Sequence, residues 1–259
     1  MQPALPPAAE AYERLAPFYD ELTREHNYEA WTSALERAAL RFGVSGRRLL
    51  DVACGTGKSF LPFMRRGYAV TACDLSVEMA ALAAAKAPGA NVLVADVRTL
   101  ERLGSFDLIT WLDDSVNYLL DQGELEAALG SLAANLAQDG VLVFDVNTLS
   151  TYRTTFARDM TLEGPGLFLA WRGGCDGSEE PGCLAELVVE AFSEVDPGVY
   201  ERVTTRQARN RQGPSSVMSR AKVVRYVDSV LTSNTSTPSG ARFAASEPSA
   251  ASSSPWSSR

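Results

Sequence analysis

A glycine turn between residues 51 and 59 is the part of the sequence best suited to binding a ligand. It reads Asp51-Val-Ala-Cys-Gly55-Thr-Gly57-Lys-Ser59 and lies between a short apolar run and a helical pattern. Glycines allow a ligand to approach the backbone closely, and the start of a helix offers backbone N–H groups without partners inside the helix. The turn therefore predicts a binding site built from backbone N–H groups.

Two phosphate-binding motifs share part of this turn. A P-loop reads G-x-x-x-x-G-K-[ST], and residues 57–59 match its end, but Val52 stands where the first glycine belongs. A dinucleotide-binding turn reads G-x-G-x-x-G, and residues 55–57 match its start. Phe60 stands where the third glycine allows a helix to pack closely on a strand. Both motifs are incomplete, which disfavours nucleoside triphosphates, nicotinamides and flavins.

Three aspartates end successive apolar runs: Asp51, Asp74 and Asp96. The carboxyl ends of parallel strands meet at one edge of a sheet, where ligands bind. A single aspartate after a strand is commonly a turn former or helix cap. Three of them beside a glycine turn favour a shared ligand site.

His26 and Asp113 are the candidates for moving a proton. His26 is the single histidine, and the pKa of an imidazole suits a general base, although a surface position is an alternative. Asp113 and Asp114 follow the fourth apolar run, where one could bind a cationic substrate or take its proton and the other could cap. Tyr19 and Trp31 could contact a ligand or belong to the core. Weaker candidates for a substrate pocket are Asn117, Tyr118, Asn147 and Tyr152.

The elements around these residues alternate between strands and helices. The apolar runs predict strands at 48–53, 68–73, 91–95, 106–111 and 141–145. Helical patterns follow the glycine turn to about residue 66 and cover residues 76–87 and 123–138. Such alternation requires a parallel sheet with right-handed crossovers, which is a doubly wound, Rossmann-like α/β fold. Two further helices, 9–22 and 28–42, precede it, and Pro17 interrupts the first.

The pattern changes after residue 160. Segments 167–171, 184–192 and 199–209 alternate polar and apolar residues, which predicts an antiparallel insertion at 160–209, after the fifth strand. We therefore expect one domain over 1–205 and a largely disordered tail over 206–259, which holds 14 serines. Only residues 223–231 of that tail have the composition of a strand or short helix.

Charge and composition exclude several classes of function. The chain of 259 residues has a formal net charge of −8, which argues against phosphate-driven nucleic-acid binding. Residues 1–205 carry 16 basic and 30 acidic groups, whereas 206–259 carry 8 basic and 2 acidic. No apolar run is long enough to span a membrane and no leader pattern is present, so we expect a cytoplasmic protein. The four cysteines lack zinc-binding spacing.

The glycine turn, together with Asp74 and Asp96, resembles motif I and the following strand ends of the class I S-adenosylmethionine-dependent methyltransferases. The resemblance implies that the turn lies against the methionine part and that Asp51 helps to hold its ammonium group. It further implies that Asp74 accepts hydrogen bonds from two ribose hydroxyls and that Asp96 faces the adenine amino group. The residues implied at the cofactor are Tyr19, Asp51, Ala53, Cys54, Gly55, Thr56, Gly57, Asp74, Leu75, Met79, Asp96, Val97 and Leu112.

The resemblance extends to one branch of that family, the small-molecule enzymes related to glycine and sugar-amine N-methyltransferases. It rests on residues 12–19, 28–31, 112–118 and 144–148, and it implies N-terminal helices that cover the cofactor and an insertion that covers the acceptor. It runs from residue 12 to about 205. The family then ends with a helix and an antiparallel strand pair beside the fifth strand, whereas this sequence offers only residues 223–231 there. Two hypotheses explain this difference: the sheet is completed in an unusual way, or the C-terminus is altered, for instance by a change of reading frame.

The function we expect is methyl transfer from S-adenosyl-L-methionine to a nitrogen or oxygen of a small molecule, yielding S-adenosylhomocysteine. His26 and Asp113 are the expected catalytic residues. The alternative is a non-catalytic S-adenosylmethionine-binding protein with a degenerate C-terminus. Catechol-type methyltransferases hold magnesium near the positions of Asp113, Asp145 and Asn147, but a valine separates the last two here, so no metal is expected. The acceptor and the oligomeric state stay open.

Overall fold

The N-terminal helices follow the predicted pattern. The computed structural model of the protein describes residues 8–119, 121–147, 151–152, 156, 159–164, 166–175, 184–210 and 222–226. Helix α1 (Ala8–Leu15) passes through a 3₁₀ turn (Ala16–Phe18) into α2 (Tyr19–Leu22). Pro17 causes this interruption because it lacks the N–H group that a continuous helix would use. Helix α3 (Tyr28–Arg41) begins where Asn27 Oδ1 accepts a hydrogen bond of 3.0 Å from the backbone N–H of Ala30.

A parallel sheet forms the centre of the domain, as predicted. In chain order its elements are β1 (Arg48–Val52), α4 (Leu61–Arg65), β2 (Ala69–Asp74), α5 (Val77–Lys86), β3 (Asn91–Val94), β4 (Phe106–Trp111), α6 (Gln122–Asn135) and β5 (Leu136–Asp145). The strands lie in the order β5-β4-β1-β2-β3, and every neighbouring pair is parallel. The fold is therefore Rossmann-like.

The end of α6 differs from the prediction. The spacing of Leu129, Leu132 and Leu136 continues a helical pattern, and the predicted helix extended to residue 138. In the structure the helix ends at Asn135, and Leu136 instead pairs with Phe106 of β4. The sheet partner outweighs the local helical pattern, so β5 begins five residues earlier than predicted.

The two faces of the sheet are covered by different helices. Alternate residues of a strand point to opposite faces. In β1, Leu49 packs with residues of α3, α4 and α5, whereas Leu50 packs with residues of α6. An apolar core therefore lies on each face of the sheet, between the strands and the helices. The carboxyl ends of the strands meet at one edge of the sheet.

The insertion forms a second, antiparallel sheet. Strands β6 (Met160–Gly164), β7 (Leu167–Cys175), β8 (Leu184–Asp196) and β9 (Val199–Asn210) lie side by side in chain order. The last three were predicted, and β6 was not singled out. Buried side chains of β7 and β8 pack with Ala11 and Leu15 of α1. The insertion therefore supports the N-terminal helix.

One further strand, β10 (Lys222–Tyr226), pairs in parallel with β5 and extends the central sheet to six strands. It occupies the edge where the resemblance implied an antiparallel strand pair. Residues 206–210 of the expected tail belong to β9, and the remainder of 206–259 apart from β10 lies outside the described residues. Among the described residues, no helix is both long and apolar enough to cross a membrane.

Candidate functional site

The glycine turn after β1 is held in a conformation that its glycines make possible. Ala53, Gly55 and Gly57 all have positive φ, at 53°, 53° and 89°. A Cβ atom on Gly57 would lie 2.9 Å from Cζ of the buried Phe60, so glycine is required there by space as well as by φ. Phe60 fills the position where a dinucleotide-binding turn has its third glycine, which makes this a different kind of turn.

Asp74, at the end of β2, is joined directly to the turn. Its Oδ2 accepts a hydrogen bond of 2.8 Å from the backbone N–H of Gly55, and its Oδ1 accepts one of 2.9 Å from Ser76. Burial raises the pKa of Asp74, and these backbone N–H groups oppose that shift. A carboxylate offers about four lone-pair positions, so Asp74 can accept a further hydrogen bond beside those from backbone N–H groups.

Asp51 lies beneath the turn and is only 1% exposed. The hydroxyls of Ser59 and Thr110 donate to its two carboxylate oxygens, Ser59 at 2.6 Å. Burial raises the pKa of Asp51 to about 7, although both hydrogen bonds oppose the shift. Asp51 thus links the turn to β4 as well as lying at the end of β1.

Asp96, at the end of β3, is paired with Arg98. Its Oδ1 accepts a hydrogen bond of 2.9 Å from the backbone N–H of Arg98, and the guanidinium of Arg98 contacts both carboxylate oxygens. These hydrogen bonds hold the pKa of Asp96 below its ordinary value. Arg98 also pairs with Glu124 of α6. The carboxylate of Asp96 is therefore already engaged at this corner of the sheet edge.

The N-terminal helices cover the turn. The Tyr19 ring lies 3.4 Å from the place where a Cβ atom of Gly55 would be. The Thr56 hydroxyl donates to Asp20 Oδ1 at 2.6 Å, and the Lys58 ammonium group donates to the backbone oxygens of Asp20 and Thr23 at 3.1 and 2.9 Å. Sequence reasoning missed the role of Asp20 and weighed Lys58 only as part of a P-loop.

The two candidates for proton transfer meet at the mouth of the turn. His26 Nδ1 lies 3.8 Å from Asp113 Oδ1, and the Tyr28 hydroxyl donates to Asp113 Oδ2 at 2.6 Å. Burial raises the pKa of Asp113, whereas Tyr28, His26 and Lys58 lower it. Asp113 and Asp114 both have left-handed backbone, with φ of 58° and 50°, a conformation that costs a non-glycine residue energy and is frequent at functional sites.

The glycine turn, the N-terminal helices and Asp113 line one cleft. Its lining consists of Tyr19, Tyr28, Ala53, Cys54, Gly55, Thr56, Lys58, Ser59 and Asp113, of which Tyr19 and residues 53–56 were predicted at the cofactor. The other eight predicted cofactor residues are not part of this lining. Four of them, Asp51, Gly57, Asp74 and Asp96, lie on the turn or at the strand ends described above. Met79 and Leu112 are buried, Leu75 is exposed, and Val97 is half-buried in the 3₁₀ turn after Asp96. Trp31, a residue of α3, is partly buried and packs against the apolar core.

The weaker substrate-pocket candidates form a buried polar network beside the cleft. Asn117 Nδ2 donates to the backbone oxygen of Asn147 at 3.1 Å and to the Tyr152 hydroxyl at 3.0 Å. The Tyr118 hydroxyl lies 2.7 Å from that of Tyr12 on α1. The network joins the loops after β4 and β5 to the N-terminal helix, so these residues shape this side of the site.

Asp145, at the end of β5, is fully buried. Its Oδ2 accepts a hydrogen bond of 2.9 Å from the backbone N–H of Asp114, and its Oδ1 has no hydrogen-bond partner within the described part of the chain. Burial, then Asp114 and Asp113, raise the pKa of Asp145, which favours a neutral carboxyl. Across the described ranges, no group of three or more His, Cys, Asp or Glu side chains is arranged to hold a metal ion.

Comparison with known proteins agrees with this geometry. Residues 49–140 match a family model described as a methyltransferase domain. A putative methyltransferase of Geobacillus sp. (strain WCH70) is 39% identical over 147 residues, 55% of this chain and 59% of that protein. The dTDP-3-amino-3,6-dideoxy-alpha-D-glucopyranose N,N-dimethyltransferase of Streptomyces fradiae is 32% identical over 141 residues, 54% and 55% of the two chains.

The fold itself is shared over a longer stretch. The crystal structure of an S-adenosylmethionine-dependent methyltransferase from Clostridium acetobutylicum superposes with a TM-score of 0.64 at 24% identity, covering 82% of this chain and 86% of that one. By sequence, the chain spans somewhat more than half the length of the curated relatives it matches. Residues 49–140, matched by the family model, run from β1 through α6 and contain the elements that position the glycine turn and its aspartates.

Proposed function

We propose that the chain is a class I S-adenosylmethionine-dependent methyltransferase and that it transfers the cofactor's methyl group to a nitrogen or oxygen of a small molecule. S-adenosylhomocysteine is the second product. The observation that carries the proposal is the cleft lined by the glycine turn and Asp113, with His26 Nδ1 3.8 Å from Asp113 Oδ1. One part suits a cofactor and the other suits a proton transfer.

The residues present fit S-adenosylmethionine. The Tyr19 ring packs over Gly55, at contact distance from the position of a Cβ atom, and a turn without a side chain at Gly55 lets a ligand lie against its backbone. The Asp74 carboxylate can still accept a hydrogen bond from a hydroxyl, as a ribose offers. We therefore assign the turn to the methionine part and Asp74 to the ribose. We assign Asp51, beneath the turn, to the side of the ammonium group, and Asp96 together with Arg98 to the side of the adenine.

When bound, the cofactor supplies a methyl group that is already electrophilic, so the chain has to orient the acceptor, exclude water and remove one proton. Tyr19 and Tyr28, on the N-terminal helices, line the cleft. We assign removal of the acceptor's proton to Asp113 or to His26, whose Nδ1 lies 3.8 Å from Asp113 Oδ1. The Tyr28 hydrogen bond orients the Asp113 carboxylate for that step.

Nitrogen is the acceptor atom that the surroundings of Asp113 favour. The rings of Tyr12 and Tyr19 lie 6.0 Å apart and those of Tyr12 and Tyr118 lie 5.5 Å apart, next to Asp113 and Asp114. Aromatic rings and carboxylates attract cations, and an amine enters a site at neutral pH as an ammonium ion. The Streptomyces fradiae relative is named for N,N-dimethylation of an amino sugar.

Titration calorimetry followed by a product assay tests the proposal. We expect S-adenosylmethionine and S-adenosylhomocysteine to bind, and methylated products to form from members of a panel of amines, phenols and carboxylates. Absence of heat with either ligand at high micromolar concentration would refute the proposal.

The alternative, a cofactor-binding protein without catalysis, is motivated by the single parallel strand β10 beside β5. Binding of both ligands without any methylated product from the panel would favour it. A cytoplasmic location and the lack of nucleic-acid binding remain predictions from the sequence.

A further inference from the structure

Residues 13–23, which we call the strap, run along helix α5. The strap contacts α5 at both ends of the helix. At the start of α5, the Glu13 carboxylate accepts hydrogen bonds from the backbone N–H groups of Val77 (2.7 Å) and Glu78 (3.0 Å). A carboxylate is favourable there because the helix dipole is positive at that end. At the other end of α5, Lys86 pairs with Asp20. The strap is therefore placed by charges that match the direction of α5.

The Asp20 end of the strap is also fastened to the glycine turn. Asp20 Oδ1 accepts the Thr56 hydroxyl at 2.6 Å. The Lys58 ammonium group donates to Asp20 O at 3.1 Å, and to Thr23 O and Thr23 Oγ1 at 2.9 Å each. Three donors of one side chain thus meet three oxygens near the end of α2, where carbonyl groups lack partners within the helix and attract cations. We call these five residues, Asp20, Thr23, Thr56, Lys58 and Lys86, the latch.

Tyr19 lies within the segment that the latch holds. Its ring covers Gly55, and the residue after it provides both the carboxylate bound by Thr56 and a carbonyl bound by Lys58. A movement of the strap away from Lys58 would therefore lift Tyr19 from the turn. Two residues of the glycine turn, Thr56 and Lys58 on either side of Gly57, make the hydrogen bonds that hold the strap.

We propose that Asp20 and Lys58 are positioning residues that latch Tyr19 over the cofactor, and that this latch must open before the cofactor or its product can leave. The inference rests on the proposed function, because it concerns how the same cleft exchanges its ligand. The latch is suited to opening because the Asp20 side chain is 50% exposed and the Lys86 side chain 29% exposed. Hydrogen bonds and ion pairs that reach solvent are weak enough to break often.

Stopped-flow measurement of S-adenosylhomocysteine dissociation tests the latch. Lys58→Met removes the ammonium group but keeps most of the apolar stem, and Asp20→Asn removes the charge but keeps an oxygen acceptor for Thr56. For each variant we expect the dissociation rate constant to rise on the order of tenfold, the value of one charge-assisted hydrogen bond. The latch is closed in this structure and entry uses the same opening, so we expect the association rate constant to rise as well. Loss of a binding contact alone would raise mainly the dissociation rate constant.

The double variant distinguishes a latch from two separate contacts. Both residues hold the same segment, so Lys58→Met combined with Asp20→Asn should dissociate the ligand little faster than the more affected single variant. Arg41→Gln is the matched control, because it removes an exposed charge from the last turn of α3 and should leave both rate constants unchanged. If a variant at residue 20 or 58 fails to fold, Lys86→Met replaces it, because Lys86 pairs with Asp20 and its loss should also speed dissociation.

The outcomes separate this inference from the function it rests on. If the unaltered protein does not bind S-adenosylhomocysteine, the proposed function fails and the latch fails with it. If the unaltered protein binds and the folded variants dissociate within twofold of it, the latch is refuted while the proposed function stands. Faster dissociation in the single variants, without further acceleration in the double variant, supports the latch.

Discussion

The Tyr28 hydroxyl donates a hydrogen bond of 2.6 Å to Asp113 Oδ2. Tyr28 opens helix α3 on the N-terminal side of the site, whereas Asp113 follows β4 in the central sheet. The hydrogen bond lowers the pKa of Asp113 against the larger, opposite effect of burial. A residue of the covering helices therefore helps to keep the Asp113 carboxylate ionised and able to accept a proton.

Tyr28→Phe should shift the pH dependence of methyl transfer. Without the hydroxyl, the pKa of Asp113 rises, so the acid limb of kcat/KM should move to higher pH. At a pH on that limb we expect kcat/KM to fall on the order of tenfold, because a hydrogen bond to a charged group is lost. The measurement is a profile of kcat/KM from pH 5.5 to 9 with an acceptor found in the product assay.

Tyr68→Phe is the control for this prediction. It removes the same hydroxyl from a buried tyrosine that interacts with Glu36 and Phe63 and is not part of the cleft lining. Its profile should coincide with that of the unaltered enzyme. An unchanged acid limb in Tyr28→Phe would contradict the role assigned to Asp113.

Asp74→Ala should weaken binding of S-adenosylmethionine by about 10- to 100-fold. The change removes the carboxylate assigned to the ribose hydroxyls and also frees the N–H group of Gly55. Each lost hydrogen bond to a charged group is worth roughly 1.5–3 kcal/mol. Calorimetry measures the change, and Glu101→Ala, an exposed carboxylate in the loop before β4, should bind as the unaltered protein does. Equal affinities in both variants would exclude Asp74 from the site.

The central fold could be predicted from the sequence because most of its strands are short apolar runs that are separated by turn residues and helical patterns. Leu49 and Leu50 face opposite cores, which is why β1 reads as a continuous apolar run. The pattern failed where two elements meet without a break. Leu136 continues the spacing of α6, and only its partner Phe106, 30 positions earlier, places it in the sheet.

The site could be predicted only as far as its backbone motif. The glycine turn and Asp74 follow from strand order, and the structure joins them by one hydrogen bond. His26 and Asp113 were candidates by residue type, but their 3.8 Å separation depends on how the covering helices pack. Tyr28 gave a weaker signal still, because a tyrosine on an amphipathic helix is most often a core residue. Side chains that act across two elements carry no local pattern.

Gly57→Ala should destabilise the protein more than Gly67→Ala. Both glycines have nearly the same φ, 89° and 86°, so alanine meets a similar backbone cost of roughly 1–2 kcal/mol at each. At Gly67 nothing lies within 4 Å of the added Cβ, whereas at Gly57 it would meet Phe60 at 2.9 Å and Ala83 at 3.4 Å. Overpacking adds roughly 1–3 kcal/mol. Urea unfolding of the two variants measures this difference, and equal losses would show that the turn relaxes freely.

The stability of the ligand-free protein should fall as the pH rises from about 4 to 7. Burial raises the pKa of Asp51 from an ordinary 3.8 to about 7, so in this window the folded state holds a proton that the unfolded state has released. Each such group lowers the free energy of unfolding by at most about 1.4 kcal/mol per pH unit. Burial also raises the pKa of Asp74, Asp113 and Asp145, and their contributions have the same sign.

Asp51→Asn should make this dependence on pH less steep. The amide carries no charge at any pH in the window, and the hydroxyls of Ser59 and Thr110 can turn from donating to accepting where the amide N–H₂ group faces them. The free energy of unfolding at pH 8 should therefore equal or exceed that of the unaltered protein, and the slope between pH 4.5 and 7 should be smaller. Urea titrations across that range measure both, with Glu101→Gln as an exposed control that keeps the original slope. Identical slopes in Asp51→Asn and the unaltered protein would mean that Asp51 stays ionised throughout, with its two hydroxyl donors offsetting its burial.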